Sequence, residues 1–219
     1  SELIQSLNAD KETLQSGDDL VLSVKPQTVR PDLPIIPAEE NPQMRSRDYW
    51  SLLMSETFEG IFPNGLWQTI DNNGSTGGEV YWDDDDFKPH NGYWSAWAGG
   101  GGANGLDPAY NNYPNDMDSW MVYGPFDLSS CALADFEFYY WNKSESGYDE
   151  FQWTASPNGS NFYGWGISGD QSTWNYVDFA LKPYLGDSSV WLMFRFTSDS
   201  IITDIGAFVD DINLWCYTD

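Results

Sequence analysis

The stretch Ala134-Asp135-Phe136-Glu137-Phe138-Tyr139-Tyr140-Trp141 alternates along its whole length. Phe136, Phe138 and Tyr140 fall on one face of an extended chain. Asp135, Glu137, Tyr139 and Trp141 fall on the other, the period of two expected of a strand with one buried side. Residues 190–196 repeat the pattern, with Val190, Leu192, Phe194 and Phe196 opposite Trp191, Met193 and Arg195. Phe151, Trp153 and Ala155 fit a third strand, and residues 208–217 a fourth. Gly, Asn, Asp and Pro punctuate the intervals, and no helical spacing is sustained after residue 55. Short strands separated by turn residues predict a sandwich or barrel. Residues 98–119, rich in Gly, Asn and Asp, are expected to form one long loop of the kind that carries function.

Working outward, the composition breaks near residue 54. Of the 219 residues, 1–54 contain nine acids and five bases, whereas 55–219 contain 25 acids and four bases, Lys88, Lys143, Lys182 and Arg195. All but two of the aromatic residues also lie beyond the break. This divides the chain into an N-terminal extension, 1–54, and a domain, 55–219. The extension offers a short strand at 19–24. Five prolines follow between Pro26 and Pro42, a spacing that forbids a helix and favours an extended, semi-rigid segment. Its reading is either a linker or an arm whose Leu33, Ile35 and Ile36 add to a sheet of the same or a neighbouring subunit.

Composition removes several function classes. The aromatic content argues against wholesale disorder. No apolar run approaches the roughly 18 residues of a membrane-spanning helix. A formal net charge of −25 opposes nucleic acid and anionic lipid alike. Self-repulsion on this scale favours bound cations. One histidine, His90, leaves no material for a zinc site of the HExxH type or a Ser–His pair, and no G-x-S-x-G motif occurs. Cys131 and Cys216, if bonded, would close a long loop and add about 4 kcal/mol. Sequons at Asn73, Asn142 and Asn158 weakly support secretion. The polar start at Ser1 fits an already processed chain.

The order of several short motifs resembles one family. Phe58-Glu59-Gly60, Phe62-Pro63 and Leu66-Trp67 are similar to the opening of the MAM-like, immune inhibitor A-associated and cleaved-adhesin jelly rolls. Gly92-Tyr93-Trp94-Ser95-Ala96-Trp97, Gly124-Pro125-Phe126-Asp127-Leu128-Ser129 and residues 133–141 resemble its next marks. Glu145, Tyr148 and Asp149, then Ser156 and Asn158-Gly159, follow. Phe194-Arg195-Phe196, Ser198-Asp199 and residues 206–212 resemble its close. The resemblance covers about residues 56–217. It implies an all-β fold, a two-sheet antiparallel jelly-roll β-sandwich behind a Pro-rich arm. It also implies a structural calcium with Glu59 and Asp210 as carboxylate ligands, donors suited to a hard cation.

Other acids leave alternatives open. Asp83-Asp84-Asp85-Asp86 reads as a solvated loop or a second calcium site. Asn111, Asn112, Asp116 and Asp118 are further oxygen donors. Glu145 and Asp149 either share a site or cap a hairpin. Asp135 and Glu137, at i and i+2 on one face, are the material for a glycosidase pair. Tyr139, Trp141 and Trp191 are expected on the outward face of one sheet, where aromatic rings can stack on sugars.

The resulting expectation is an extracellular, calcium-stabilised, non-catalytic binding or adhesion module, with a glycan or a cell-surface protein as partner. The alternatives are a surface-layer or filament subunit that assembles with copies of itself through residues 1–54, and a glycoside hydrolase. Neither nucleic acid nor membrane insertion is expected.

Overall fold

A computed structural model of the chain describes residues 50–74 and 76–218. The expected strand at 19–24 and the Pro-rich segment lie outside these residues. Eleven strands are present among the described residues: β1 (Trp50–Glu56), β2 (Gln68–Asp71), β3 (Tyr81–Asp85), β4 (Ser95–Gly101), β5 (Asp118–Phe126), β6 (Leu133–Lys143), β7 (Glu150–Ser156), β8 (Tyr163–Ile167), β9 (Asp170–Ala180), β10 (Val190–Thr197) and β11 (Gly206–Tyr217). The one helical element among the described residues is a 3-10 turn at Lys182–Tyr184.

Two antiparallel sheets form the sandwich. One has the order β3-β4-β11-β6-β9, with β1 also paired to β11. The other has the order β2-β5-β10-β7-β8. Because β6 occupies one edge of β11, β4 and β1 share its other edge. β4 meets Phe208 and Val209, and β1 meets Ile212 through Tyr217. The ladder to β6 breaks between them, from Asp210 to Asn213, and Asp211 has a φ of 50°. That break positions the carboxylates discussed below.

The alternation read from the sequence places the core. Phe136 and Phe138 of β6 meet Phe194 of β10 with ring centroids 5.3 and 4.8 Å apart. Phe138 also packs on Trp153, 5.8 Å away. Trp82 extends this core toward β3 and donates its indole N–H to the Ser119 carbonyl at 3.1 Å. Each such ring removes a large apolar area from water, the main favourable term in folding. Cys131 and Cys216 form a disulfide that holds the entrance to β6 against the end of β11.

Three expectations shift. The composition break at residue 54 falls inside β1, which starts at Trp50 and belongs to the six-stranded sheet. The loop expected at 98–119 is shorter, because residues 98–101 complete β4 and 118–119 begin β5. The Ala-Gly-Gly-Gly end of β4 has little strand propensity by itself, and pairing with β3 overrides it. Asp83, Asp84 and Asp85 lie in strand β3, paired to β4, and not in a solvated loop.

Candidate functional site

The outer face of the six-stranded sheet has two halves. On the first, Trp97, Phe208 and Trp141 lie side by side across β4, β11 and β6. Residues 86–94, between β3 and β4, fold over them. Phe87 packs on Phe208 at 6.3 Å, and the Lys88 ammonium lies 4.4 Å from the Trp141 ring centroid. Trp141 is therefore 6% exposed. Burial pushes the Lys88 pKa down.

The same connection collects the two carboxylates expected to bind calcium. Asp210, fully buried, accepts the His90 and Asn91 backbone N–H groups on Oδ2, at 2.8 and 3.1 Å. Its Oδ1 accepts the Asp211 N–H at 2.7 Å. Glu59, exposed, accepts the Tyr93 and Trp94 N–H groups on Oε1, at 2.7 and 2.9 Å. Gly92 lies between the two pairs with a φ of 69°, and a Cβ there would lie 2.3 Å from Glu59 Oε1. Any side chain at residue 92 would push the carboxylate away, so glycine is required on both counts. Burial raises the Asp210 carboxyl to about 6, against the lowering effect of its N–H donors. Such a buried anion gains from a cation. Two carboxylates drawn to one turn are hard oxygen donors of the type calcium takes, so the residues fit the ion that the resemblance implies.

The second half of this face is open. Glu137 and Tyr139 of β6, Tyr176 and Asp178 of β9, and Asn213, Trp215 and Tyr217 of β11 are all half-buried. Facing pairs across the strands are Tyr139 with Tyr176, Glu137 with Asp178, and Asn213 with Glu137. The Tyr139 and Tyr176 rings are 5.4 Å apart, and the His90 ring stacks on Tyr139 at 3.7 Å and 15°. His90 Nδ1 lies 2.7 Å from Asp211 Oδ2. The Trp215 indole N–H donates to Glu137 Oε2 at 3.1 Å. Trp50 and Tyr217 extend the row, 5.4 Å apart. Rings flanked by carboxylates and an amide provide apolar faces and hydrogen-bonding edges on one surface.

The three rings expected to share a face do not. Tyr139 and Trp141 point outward from the six-stranded sheet, Trp141 beneath Lys88. Trp191 lies on β10 of the other sheet, packed against a separate cluster of Ile70, Trp120, Val122, Phe162 and Met193. Strand alternation gives the face of a residue but not the sheet to which its strand belongs. Trp215, Tyr176 and His90 were missed. The core side of β9 is short, Val177 and Phe179 following polar Asn175 and exposed Thr173, so no long apolar alternation marks the strand, though Trp174, Tyr176 and Asp178 do alternate.

The outer face of the five-stranded sheet carries the one Arg–carboxylate pair among the described residues. Arg195 Nε donates to Asp118 Oδ1 at 2.6 Å, and Trp120 Nε1 donates to the same oxygen at 2.6 Å. Asp118, an expected metal donor, is thus committed to an ion pair. Elsewhere, Glu145, Asp149 and Asp199 place carboxylate oxygens within 4.8 Å of one another, an acidic triad able to hold a metal. Of the two alternatives left open for Glu145 and Asp149, a shared site or a hairpin cap, the structure shows their carboxylates close together, with that of Asp199 beside them.

No family model matches the sequence, and no curated protein does. Solved structures do match. The K3 cleaved adhesin domain of Lys-gingipain from Porphyromonas gingivalis superposes with a TM-score of 0.51 at 16% identity, over 75% of this chain and 98% of that one. The K1 cleaved adhesin domain of the same protein gives 0.49 at 18% identity, over 74% and 96%. The CBM22-1 xylan-binding domain from Paenibacillus barcinonensis Xyn10C gives 0.47 at 14% identity, over 77% and 96%. The chain is an all-β jelly-roll sandwich. Its fold is that of the cleaved adhesin domains, as the motif order suggested. Among the described residues no helix is long and apolar enough to cross a membrane.

Proposed function

We propose that this chain is a non-catalytic extracellular binding module that takes glycan chains on the open half of the six-stranded sheet. The observation that carries the reading is the half-exposed row of Tyr139, Tyr176 and Trp215, set among Glu137, Asp178 and Asn213. Ring faces cover the apolar faces of sugars, and carboxylates and amides accept or donate to hydroxyls. Trp141 supports this surface from beneath Lys88. The K3 cleaved adhesin domain of Lys-gingipain shares this fold, which agrees with a binding role. A calcium ion held by Glu59 and Asp210 locks residues 86–94 over the sheet. Glu137 belongs to the binding surface, held by Trp215, and has no catalytic role with Asp135.

The test is a screen of soluble plant, algal and bacterial polysaccharides by affinity electrophoresis, then calorimetry on any hit. A stacking ring contributes about 1.4 kcal/mol, so Tyr176→Ala or Trp215→Ala should each weaken binding about tenfold. The fold, read by circular dichroism, should persist. No retardation by any polysaccharide, or hits indifferent to both variants, would refute the assignment.

A further inference from the structure

Five Asn-Gly pairs occur in the chain, beginning at Asn64, Asn73, Asn91, Asn104 and Asn158. Asparagine is among the chemically labile residues that thermostable proteins avoid. Before glycine it is most exposed to attack, because no Cβ hinders the approach of the next amide nitrogen to its Cγ. In a folded chain the reaction depends on how the side chain and that N–H are held. Four pairs are held apart. Asn64 Nδ2 donates to Glu56 Oε2 at 3.0 Å and to the Ile61 carbonyl at 2.9 Å. Asn73 Nδ2 donates to the carbonyls of Thr76 and Asp116. Asn104 Oδ1 accepts the Glu79 N–H at 3.1 Å, and the Gly105 N–H is committed to the Gly102 carbonyl. Asn158 Oδ1 accepts the Ser160 and Asn161 N–H groups at 2.9 Å, and the Gly159 N–H is committed to Ser156 Oγ.

Asn91 differs. It is exposed, and its Oδ1 accepts the Gly92 N–H itself at 3.0 Å. The attacking nitrogen is thereby held against the carboxamide that it attacks, the arrangement that proximity rewards. Replacing the glycine would not relieve the pair, because a Cβ at residue 92 would lie 2.3 Å from Glu59 Oε1.

We propose that Asn91 is a site of self-modification, at which the chain converts to isoaspartate and the turn over the six-stranded sheet opens. The Gly92 N–Cγ bond forms and the Cγ–Nδ2 bond breaks. Nδ2 leaves as ammonia, taking the Gly92 amide proton through water, and a five-membered imide remains. Water then adds to the imide. Opening at the former main-chain carbonyl routes the backbone through the side chain as isoaspartate, and opening at Cγ gives aspartate. Isoaspartate adds one main-chain bond of about 1.5 Å and a negative charge. Both enter between the Asn91 N–H, which meets Asp210 Oδ2 at 3.1 Å, and the Tyr93 and Trp94 N–H groups, which meet Glu59 Oε1 at 2.7 and 2.9 Å. The lengthened turn cannot keep both carboxylates at these spacings, and the new charge repels them.

The full chain is aged at 37 °C and pH 8.5 without sugar or divalent cation, then mapped by peptide mass spectrometry, with isoaspartate scored by enzymatic methylation. Asn91 should convert about tenfold faster than Asn64, Asn73, Asn104 or Asn158, the difference a small barrier change produces. Asn91→Gln keeps the backbone donors and should remove most of the methylation. Hydrogen exchange should quicken at Tyr93 and Trp94 in the aged chain but not in aged Asn91→Gln, with β6 and β10 unchanged in both. Asn91 converting no faster than the other four would overturn the site. Conversion without faster exchange at Tyr93 and Trp94, or equal quickening in aged Asn91→Gln, would overturn its effect on the turn. These readouts need neither a glycan nor calcium, so failure of either of those assignments is seen separately.

Discussion

Without divalent cations, this protein should lose stability as pH rises from 4 to 6.5, against the usual behaviour of carboxylates paired in the native state. The perturbation is EDTA plus a pH series. Asp210 carries the argument: burial lifts its carboxyl from 3.8 to about 6. Between those values the folded state holds a proton that the unfolded state has released, so unfolding is easier at each step upward. The loss begins near the unfolded value and is complete above about 6. A displacement of this size corresponds to about 3 kcal/mol. Asp84, lifted to about 6 by burial and then by Asp83, acts in the same window and with the same sign. Calcium should cancel the Asp210 part, because a bound cation favours the ionised carboxylate. Urea unfolding followed by tryptophan fluorescence provides the assay, in EDTA and in excess calcium. Flat or rising stability from pH 4 to 6.5 in EDTA would refute the reasoning, as would the same falling curve in calcium.

Other outcomes follow from packing and charge. Phe194→Ala removes a fully buried ring that meets Phe136, Phe138 and Phe151; urea unfolding should show a loss of about 3–5 kcal/mol. Reducing the Cys131–Cys216 disulfide, which spans 85 residues, should cost about 4–5 kcal/mol in the chain-entropy view, read as a lower urea midpoint in reductant. Arg195→Met leaves Asp118 with only its Asn72 and Trp120 donors on a largely covered surface, and urea unfolding at pH 7 should show a cost of about 3 kcal/mol. Gly92→Ala should weaken calcium stabilisation more than it lowers stability in EDTA, since the added methyl group meets Glu59 Oε1 at 2.3 Å.

What the sequence disclosed follows the range of each signal. Alternation is local, so β6, β7, β10 and β11 were readable from side chains two apart. Their partners were not, and Trp191 shows the consequence: its face was right and its sheet was not. Motif order marked Ser95-Ala96-Trp97 of β4, but its end was hidden by glycines, and β3 was hidden by three acids that reside in a strand only because β4 pairs with it. Glu59 and Asp210 came from motif order, and the structure adds that both hold N–H groups of residues 90–94. Asp199 was invisible as a partner of Glu145 because the contact joins positions about 50 residues apart, through a hydrogen bond to Asp149 that no spacing rule encodes.

The charge distribution connects these observations. With 25 acids against four bases beyond residue 54, pairwise salt bridges cannot neutralise the domain, and three of its basic groups are occupied individually: Lys143 by Asp204, Arg195 by Asp118, and Lys88 by the Trp141 ring. The remaining carboxylates are handled in two ways. Exposed ones such as Asp127 and Asp170 accept local N–H and hydroxyl donors, which lower their pKa values, and water screens them. Asp210, in β11 beneath residues 86–94, and Asp149, at the turn before β7, are withdrawn from water, where repulsion is felt most strongly. Divalent cations should therefore act on the connections and leave the aromatic core alone. Hydrogen exchange with and without calcium discriminates this from a general salt effect. Protection gained only in residues 86–94 supports it, whereas uniform gain across β6, β10 and β11, reproduced by raising sodium chloride alone, would show that screening of net charge is sufficient.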